Sequence, residues 1–94
     1  MSDSSRVTRR ILFAGRVQGV GFRWTTNRIA VEFPVTGFVR NMADGRVELV
    51  VQGEAADVGG LLNEIQRRLA DNIESIDEEI VDTPEDFHRF EIRR

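Results

Sequence analysis

The chain contains no cysteine, and all 13 of its Lys or Arg residues are arginines. Without a thiol, the protein cannot form a disulfide, a thiolate nucleophile or an iron–sulfur cluster. Without a lysine, it has neither a Schiff-base amine nor the lysine of a Walker-type phosphate loop. Its single histidine, His88, is expected to be a surface or partly packed residue. Any enzymatic chemistry must therefore rest on Arg, amides, carboxylates, hydroxyls or backbone groups.

Long apolar runs are also missing from the sequence. No segment approaches the roughly 20 apolar residues that a membrane-spanning helix needs. The run Ile11 to Ala14 is too short for the core of a signal peptide. We therefore expect a soluble, cytoplasmic protein with no membrane partner. The 94 residues suit one domain, which we place at 7–94 after a disordered N-terminal tail at 1–6.

The charge is distributed unevenly along the chain, whose net charge is −3. Residues 1–52 carry eight Arg against four acids, and residues 53–94 carry five Arg against twelve acids. A net acidic chain without an RNP-like aromatic run is a poor candidate for an RNA-binding sheet, so no nucleic-acid partner is expected. The acidic residues between 74 and 82 lack a ligand-loop pattern such as that of the EF-hand, so no metal is expected there.

The first half of the chain predicts one helix and three strands. Residues 7–14 are rich in β-branched and aromatic residues and predict a strand that ends before Gly15. Apolar residues recur at helical spacing from Phe22 to Phe33, where Pro34 ends the helix. The runs 35–42 and 46–51 predict two antiparallel strands, because an Asp-Gly pair separates them.

The second half of the chain predicts one helix and two strands. Gly53 is expected to end the third strand, and an amphipathic helix follows from Val58 to Leu69. Residues 73–82 favour a strand, and Phe90 and Ile92 share one face of a short strand at the sheet edge. The order predicts an α+β, ferredoxin-like βαββαβ sandwich: two helices on one face of an antiparallel sheet, with an additional short C-terminal strand.

The segment from Gly15 to Arg23 leaves a predicted strand, contains three glycines and enters a predicted helix. Unpaired amides at the start of a helix can form a concavity that binds phosphate. Arg23 in the first helical turn could add two parallel hydrogen bonds to a phosphoryl group. The segment is neither G-x-x-x-x-G-K-[ST] nor G-x-G-x-x-G. By spacing alone, a plain glycine-rich turn with a surface Arg is an equally good interpretation.

Three nearby residues have ordinary structural interpretations when they are taken alone. Trp24 is expected to pack at the start of the helix rather than to serve as a ligand platform. Asn41 is expected to be a polar strand residue that hydrogen-bonds the adjacent turn. Arg16 is expected to be solvated.

Two long motifs in this sequence resemble the signatures of acylphosphatases, small enzymes that hydrolyse carboxyl-phosphate anhydrides. The run from Gly15 to Arg23 is similar to the first signature. The second signature, G-[aromatic]-V-[KR]-N-x-x-x-G-x-V with a further G, is matched by Gly37, Phe38, Val39, Arg40, Asn41, Gly45, Val47 and Gly53. The family fold is the ferredoxin-like sandwich. Met42 departs from the pattern, because many members have a small hydroxyl residue there.

The resemblance implies a role for each residue of the two motifs. Arg23 would bind the phosphoryl group together with the main-chain amides of Gln18, Gly19, Val20, Gly21 and Phe22. Gln18 would contribute mainly through this amide. Asn41 would orient the attacking water, whose proton can pass to a phosphate oxygen of the substrate.

These roles imply an acylphosphatase acting on a small-molecule acyl phosphate, with no cofactor and no metal. We expect a monomer. The alternative is a non-catalytic or regulatory phosphate-binding module, similar to the acylphosphatase-like domain of carbamoyl-transfer maturation proteins.

Overall fold

The computed structural model describes residues 6–82 and 84–94. The elements follow in the predicted order: β1 (Arg6–Gly15), α1 (Phe22–Ala30), β2 (Thr36–Asn41), β3 (Val47–Glu54), α2 (Ala55–Arg68), β4 (Ile73–Ile80) and β5 (Phe90–Arg93). Residues 1–5 of the predicted tail lie outside the described residues. Arg6, the last residue assigned to that tail, instead belongs to β1 and pairs with Glu54. No helix in the described ranges is long and apolar enough to cross a membrane.

The five strands form one sheet in the order β4-β1-β3-β2-β5. The pairs β1–β3, β1–β4 and β2–β3 are antiparallel. The edge strand β5 is parallel to β2, with Gly37 opposite Phe90 and Arg40 opposite Arg93. Strands β1 to β4 thus form the predicted antiparallel sheet, and the predicted additional C-terminal strand joins its edge in parallel. The chain leaves β4 at one edge and returns to the opposite edge in the direction of β2, which makes the sheet mixed.

Both helices pack on one face of the sheet, as predicted, and the core lies between the two layers. In strand β3, Val47, Leu49 and Val51 are fully buried under the helices. Other fully buried side chains come from both layers: Ile11, Phe13, Val39, Phe22, Ile29, Val58, Leu61 and Ile65. This layer fixes the start of α1 against the end of β2, where the two candidate site residues lie.

The opposite face of the sheet carries an ion cluster around the buried carboxylate of Glu48. Glu48 is 5% exposed and accepts hydrogen bonds of 2.5 Å from Nε of Arg10 and of Arg40. Burial acts to raise the pKa of Glu48, but the hydrogen bonds from these two arginines outweigh it, so the pKa lies below its usual value. On the same face Gln52 donates to the Glu85 carbonyl oxygen at 3.0 Å, which holds the segment before β5 against the sheet.

Two element boundaries differ from the predictions. Helix α1 ends at Ala30 rather than Phe33, because Glu32 and Phe33 donate to carbonyls only three residues back. Gly53 does not end β3 but pairs with Val7 inside the sheet. A Cβ at Gly53 would lie 3.2 Å from a Val35 methyl carbon, so this glycine permits a close approach rather than a break.

Candidate active site

The connection between β1 and α1 takes its shape from two glycines. Gly19 and Gly21 have φ values of 76° and 81°, which side chains with a Cβ rarely adopt. Apart from the chain neighbours, no atom of the described residues lies within 4 Å of a Cβ built at either position, so conformation rather than space requires glycine here. Gly21 is also the N-cap of α1 and turns the chain into the helix at Phe22.

Both ends of this connection are anchored to the fold. The Arg16 amide donates to the Asn72 carbonyl oxygen at 2.9 Å, and Val17 and Phe22 are each 1% exposed. The amides of residues 18–22 donate no hydrogen bond to any other described residue. Free amides at the positive end of a helix dipole form a concavity suited to an anion.

One cavity of about 180 Å³ brings the two predicted side chains together. Arg23 reaches it from the first turn of α1, and Asn41 reaches it from the last residue of β2. The full lining is Val17, Gly19, Gly21, Phe22, Arg23, Trp24, Asn41 and Ile92. Of the five residues predicted to bind through their amides, Gly19, Gly21 and Phe22 line the cavity, whereas Gln18 and Val20 do not.

Arg23 is held in place by the C-terminal strand. Its Nη1 donates to the Arg93 carbonyl oxygen at 3.2 Å, and its other N–H groups bond no further residue in 6–82 or 84–94, so they can donate to a ligand. Within the described ranges, Arg23 is the only charged residue of the lining, and no carboxylate opposes it. The cavity therefore combines one positive charge with a helix N-terminus, which favours an anion.

Asn41 does not bond the adjacent turn, so the ordinary interpretation of this residue is wrong. Its Oδ1 is buried and has no hydrogen-bond partner among the described residues. A buried acceptor without a partner is unfavourable, which suits a side chain that receives a hydrogen bond only from a ligand or a water. The side-chain amide can both accept and donate.

The turn after Asn41 is instead held by Gln18. Its Nε2 donates to the carbonyl oxygens of Met42 at 2.8 Å and of Arg46 at 2.9 Å. The sequence indicated for Gln18 mainly a main-chain role, and these side-chain contacts were not predicted. The available signal was a long polar side chain in a loop otherwise made largely of Gly and Val.

Two other lining residues were also missed. Trp24 is 60% exposed, so the expectation that it packs at the helix start is wrong. The Arg28 guanidinium lies over its ring, 5.1 Å from the ring centre. Ile92 is 39% exposed and reaches the cavity from β5.

The remaining candidates lie away from this cavity or outside any metal-binding pattern. Arg16 and His88 are exposed, and neither lines the cavity. Within residues 6–82 and 84–94, no group of three or more His, Cys, Asp or Glu residues could hold a metal ion.

Comparison with known proteins gives a consistent result over almost the whole chain. The family model for acylphosphatase matches residues 9–92. An acylphosphatase from Paenarthrobacter aurescens (strain TC1) is 44% identical over 94 residues, covering 98% of each chain.

Solved structures show the same fold. The crystal structure of acylphosphatase from Bacillus subtilis superposes with a TM-score of 0.83 at 29% identity, over 94% of this chain and 99% of that one. Full-length HypF in a phosphate- and nucleotide-bound form superposes with a TM-score of 0.76 at 27% identity, over 95% of this chain but 12% of HypF.

Proposed function

The chain belongs to the acylphosphatase family of hydrolases, and from that premise we propose that it hydrolyses acyl phosphates to a carboxylate and orthophosphate through Arg23 and Asn41. One observation carries the assignment of residues. Arg23 and Asn41 come from different elements, yet both line one cavity together with Gly19 and Gly21. That combination provides an anion site and a water-orienting amide at one place.

The phosphoryl group of the substrate binds to the amides of residues 18–22 and to Arg23. The planar guanidinium can give two parallel hydrogen bonds to phosphoryl oxygens, and one of its nitrogens is already fixed by the Arg93 carbonyl. Because these donors are in place before the substrate arrives, little reorganisation is needed as charge develops on the phosphoryl oxygens.

Asn41 positions the attacking water. The water oxygen forms a bond to phosphorus while the bond from phosphorus to the bridging oxygen breaks. The electron pair of that bond leaves with the carboxylate, and the water proton passes to a phosphoryl oxygen. The carboxylate is a good leaving group, so positioning and charge stabilisation supply the catalysis without a histidine, a cysteine or a metal.

The test is hydrolysis of benzoyl phosphate by the purified chain in the presence of EDTA. We expect turnover by the unaltered protein, and loss of most of it in Arg23→Ala and Asn41→Ala. Arg67→Ala is the matched control, because the Arg67 side chain on α2 is 69% exposed and does not line the cavity.

Two results would overturn the proposal. If the folded protein binds inorganic phosphate but does not hydrolyse the substrate, the chain is a phosphate-binding module. If EDTA abolishes turnover and a divalent ion restores it, the metal-free mechanism is wrong.

A further inference from the structure

The cavity that holds Arg23 and Asn41 has an apolar wall that the proposed chemistry does not use. Val17, Trp24 and Ile92 all line it. Val17 is buried, but Trp24 and Ile92 remain 60% and 39% exposed. A large exposed indole beside a polar anion site leaves apolar surface in water, which is unfavourable unless a ligand covers it.

The fold holds this wall in a fixed relation to the phosphate site. Trp24 follows Arg23 in the first turn of α1, and the Arg28 guanidinium lies over its ring. Ile92 precedes Arg93, whose carbonyl oxygen accepts the hydrogen bond from Arg23. Trp24 and Ile92 are therefore adjacent in the chain to Arg23 and Arg93, the two residues that this hydrogen bond joins.

We propose that Trp24 and Ile92 form a subsite for the acyl group, which gives the enzyme a preference for apolar and aromatic acyl phosphates over acetyl phosphate. The inference rests on the proposed function, because it assigns the other end of the same substrate. Direct in-line attack places the water and the acyl oxygen on opposite sides of phosphorus. With water at Asn41, the acyl group leaves on the far side of phosphorus, and Trp24 and Ile92 are the exposed apolar side chains of the lining that can cover it.

The subsite has a defined kinetic signature. Contact between the acyl group and Trp24 or Ile92 is far from the reacting bonds and is the same before and during the reaction. Such uniform binding lowers KM and leaves kcat almost unchanged. Acetyl phosphate is too small to gain much from it.

The experiment compares kcat and KM for benzoyl phosphate and acetyl phosphate in the unaltered protein, Trp24→Ala and Ile92→Ala. We expect the ratio of the two kcat/KM values, benzoyl over acetyl, to fall by about 3- to 10-fold in Trp24→Ala, mostly through the KM for benzoyl phosphate. Comparing ratios removes the difference in intrinsic reactivity between the substrates. Trp24→Phe should keep most of the preference.

Val31→Ala is the matched control, because Val31 is a 73% exposed apolar residue at the opposite end of α1. In Val31→Ala the ratio of kcat/KM for benzoyl phosphate to that for acetyl phosphate should not change. An unchanged ratio in Trp24→Ala and Ile92→Ala, or an equal loss with both substrates, overturns the subsite while leaving the hydrolase function intact.

A second measurement does not depend on turnover. Trp24 is the only tryptophan in the chain, so its fluorescence reports directly on this wall. Titration with benzylphosphonate should shift the emission and bind more tightly than methylphosphonate. Equal affinity for the two phosphonates and no emission change overturn the subsite. Failure of the unaltered protein to hydrolyse either acyl phosphate counts instead against the proposed function.

Discussion

The side-chain amide of Gln18 donates to the carbonyl oxygen of Met42 at 2.8 Å, which joins the loop between β1 and α1 to the residue directly after Asn41. A second hydrogen bond from the same nitrogen reaches the Arg46 carbonyl oxygen. The Met42 amide in turn donates to that Arg46 oxygen at 2.8 Å, so the turn is closed on itself and tied to the loop. One side chain therefore connects the loop between β1 and α1 to the turn that follows Asn41.

Gln18→Ala should lower kcat more than it lowers phosphate affinity. The loop amides and Arg23 remain, but the turn that carries Asn41 loses its tie. Misplacement of a positioning group by about 1 Å can cost on the order of 10²-fold in rate, so we expect a loss of roughly 10- to 100-fold in kcat. The free energy of unfolding should fall by about 1 kcal/mol, because two hydrogen bonds to half-buried carbonyls are lost while each carbonyl keeps a backbone partner.

Steady-state kinetics, inhibition by inorganic phosphate and urea unfolding measure these three effects. Gln66→Ala, on the exposed side of α2, is the control with the same substitution. An unchanged kcat in Gln18→Ala would show that the loop and the turn hold their relative position without this contact.

The sequence predicted the element order, because apolar periodicity is local and each element is long enough to show it. It did not predict the parallel pairing of β5 with β2, since that depends on where the chain lies after β4 rather than on any residue of β5. The prediction that Gly53 ends β3 was wrong for a similar reason. The need for glycine comes from Val35, which is close in space but distant along the chain.

The residues of the candidate site also divide into those that the local sequence indicates and those that depend on the folded arrangement. The position of Arg23 after a glycine-rich turn is visible locally, but spacing alone left a plain turn equally good, and the resemblance to acylphosphatases was needed to single out Arg23 and Asn41. The exposure of Trp24 could not be predicted, because it depends on α1 ending up against β5 rather than under another layer. The side-chain contacts of Gln18 likewise needed the folded distance between two loops.

Gly21→Ala and Gly59→Ala should change stability in opposite directions. Gly21 has a φ of 81°, and a Cβ there costs about 1–2 kcal/mol although no atom is in its way. Gly59 lies within α2 in open space with no such φ, so alanine should stabilise the helix by up to about 1 kcal/mol. Urea unfolding measures both effects, and a stable Gly21→Ala with unaltered phosphate inhibition would contradict the conformational requirement.

Glu48→Gln should weaken the dependence of stability on acid pH. The pKa of Glu48 lies below its ordinary value in the folded protein, because the hydrogen bonds from Arg10 and Arg40 outweigh burial. A carboxyl with a lowered folded pKa stabilises the fold above its unfolded pKa, and this contribution is lost as pH falls through the folded pKa. The variant should therefore be less stable by about 1–2 kcal/mol at pH 7, and the difference should shrink below about pH 4.5.

Urea unfolding from pH 7 to pH 3 measures this difference. Glu64→Gln is the comparison, because the pKa of Glu64 is lowered to about 2 by Arg67 and Arg68 on a solvent-exposed helix surface. Solvent screens those pairs, so the change at pH 7 should be smaller than for Glu48→Gln. Equal losses of stability in the two variants would contradict a larger stabilising contribution from Glu48 than from Glu64.

Arg23 and Asn41 should fail in different ways, because the proposed function has Arg23 hold the phosphoryl group and Asn41 orient the water. Arg23→Ala removes the only charge of the cavity lining in the described part of the chain, so phosphate inhibition and turnover should both collapse. Arg23→Lys should recover little, because an ammonium lacks the planar fork that spans two oxygens. Asn41→Ala leaves the loop amides and Arg23 in place, so phosphate inhibition should persist while kcat falls by about 10²- to 10³-fold.

Phosphate inhibition constants together with kcat and KM for each variant separate the two roles, with circular dichroism to confirm folding. The structure predicts that folding survives in both, because each side chain is only partly buried and lies at the edge of the core. A normal phosphate affinity in Arg23→Ala would show that the main-chain amides bind phosphate without help from Arg23. An unchanged kcat in Asn41→Ala would contradict the water-orienting role. It would also leave unexplained why the Asn41 side-chain oxygen is buried without a hydrogen-bond partner in residues 6–82 or 84–94.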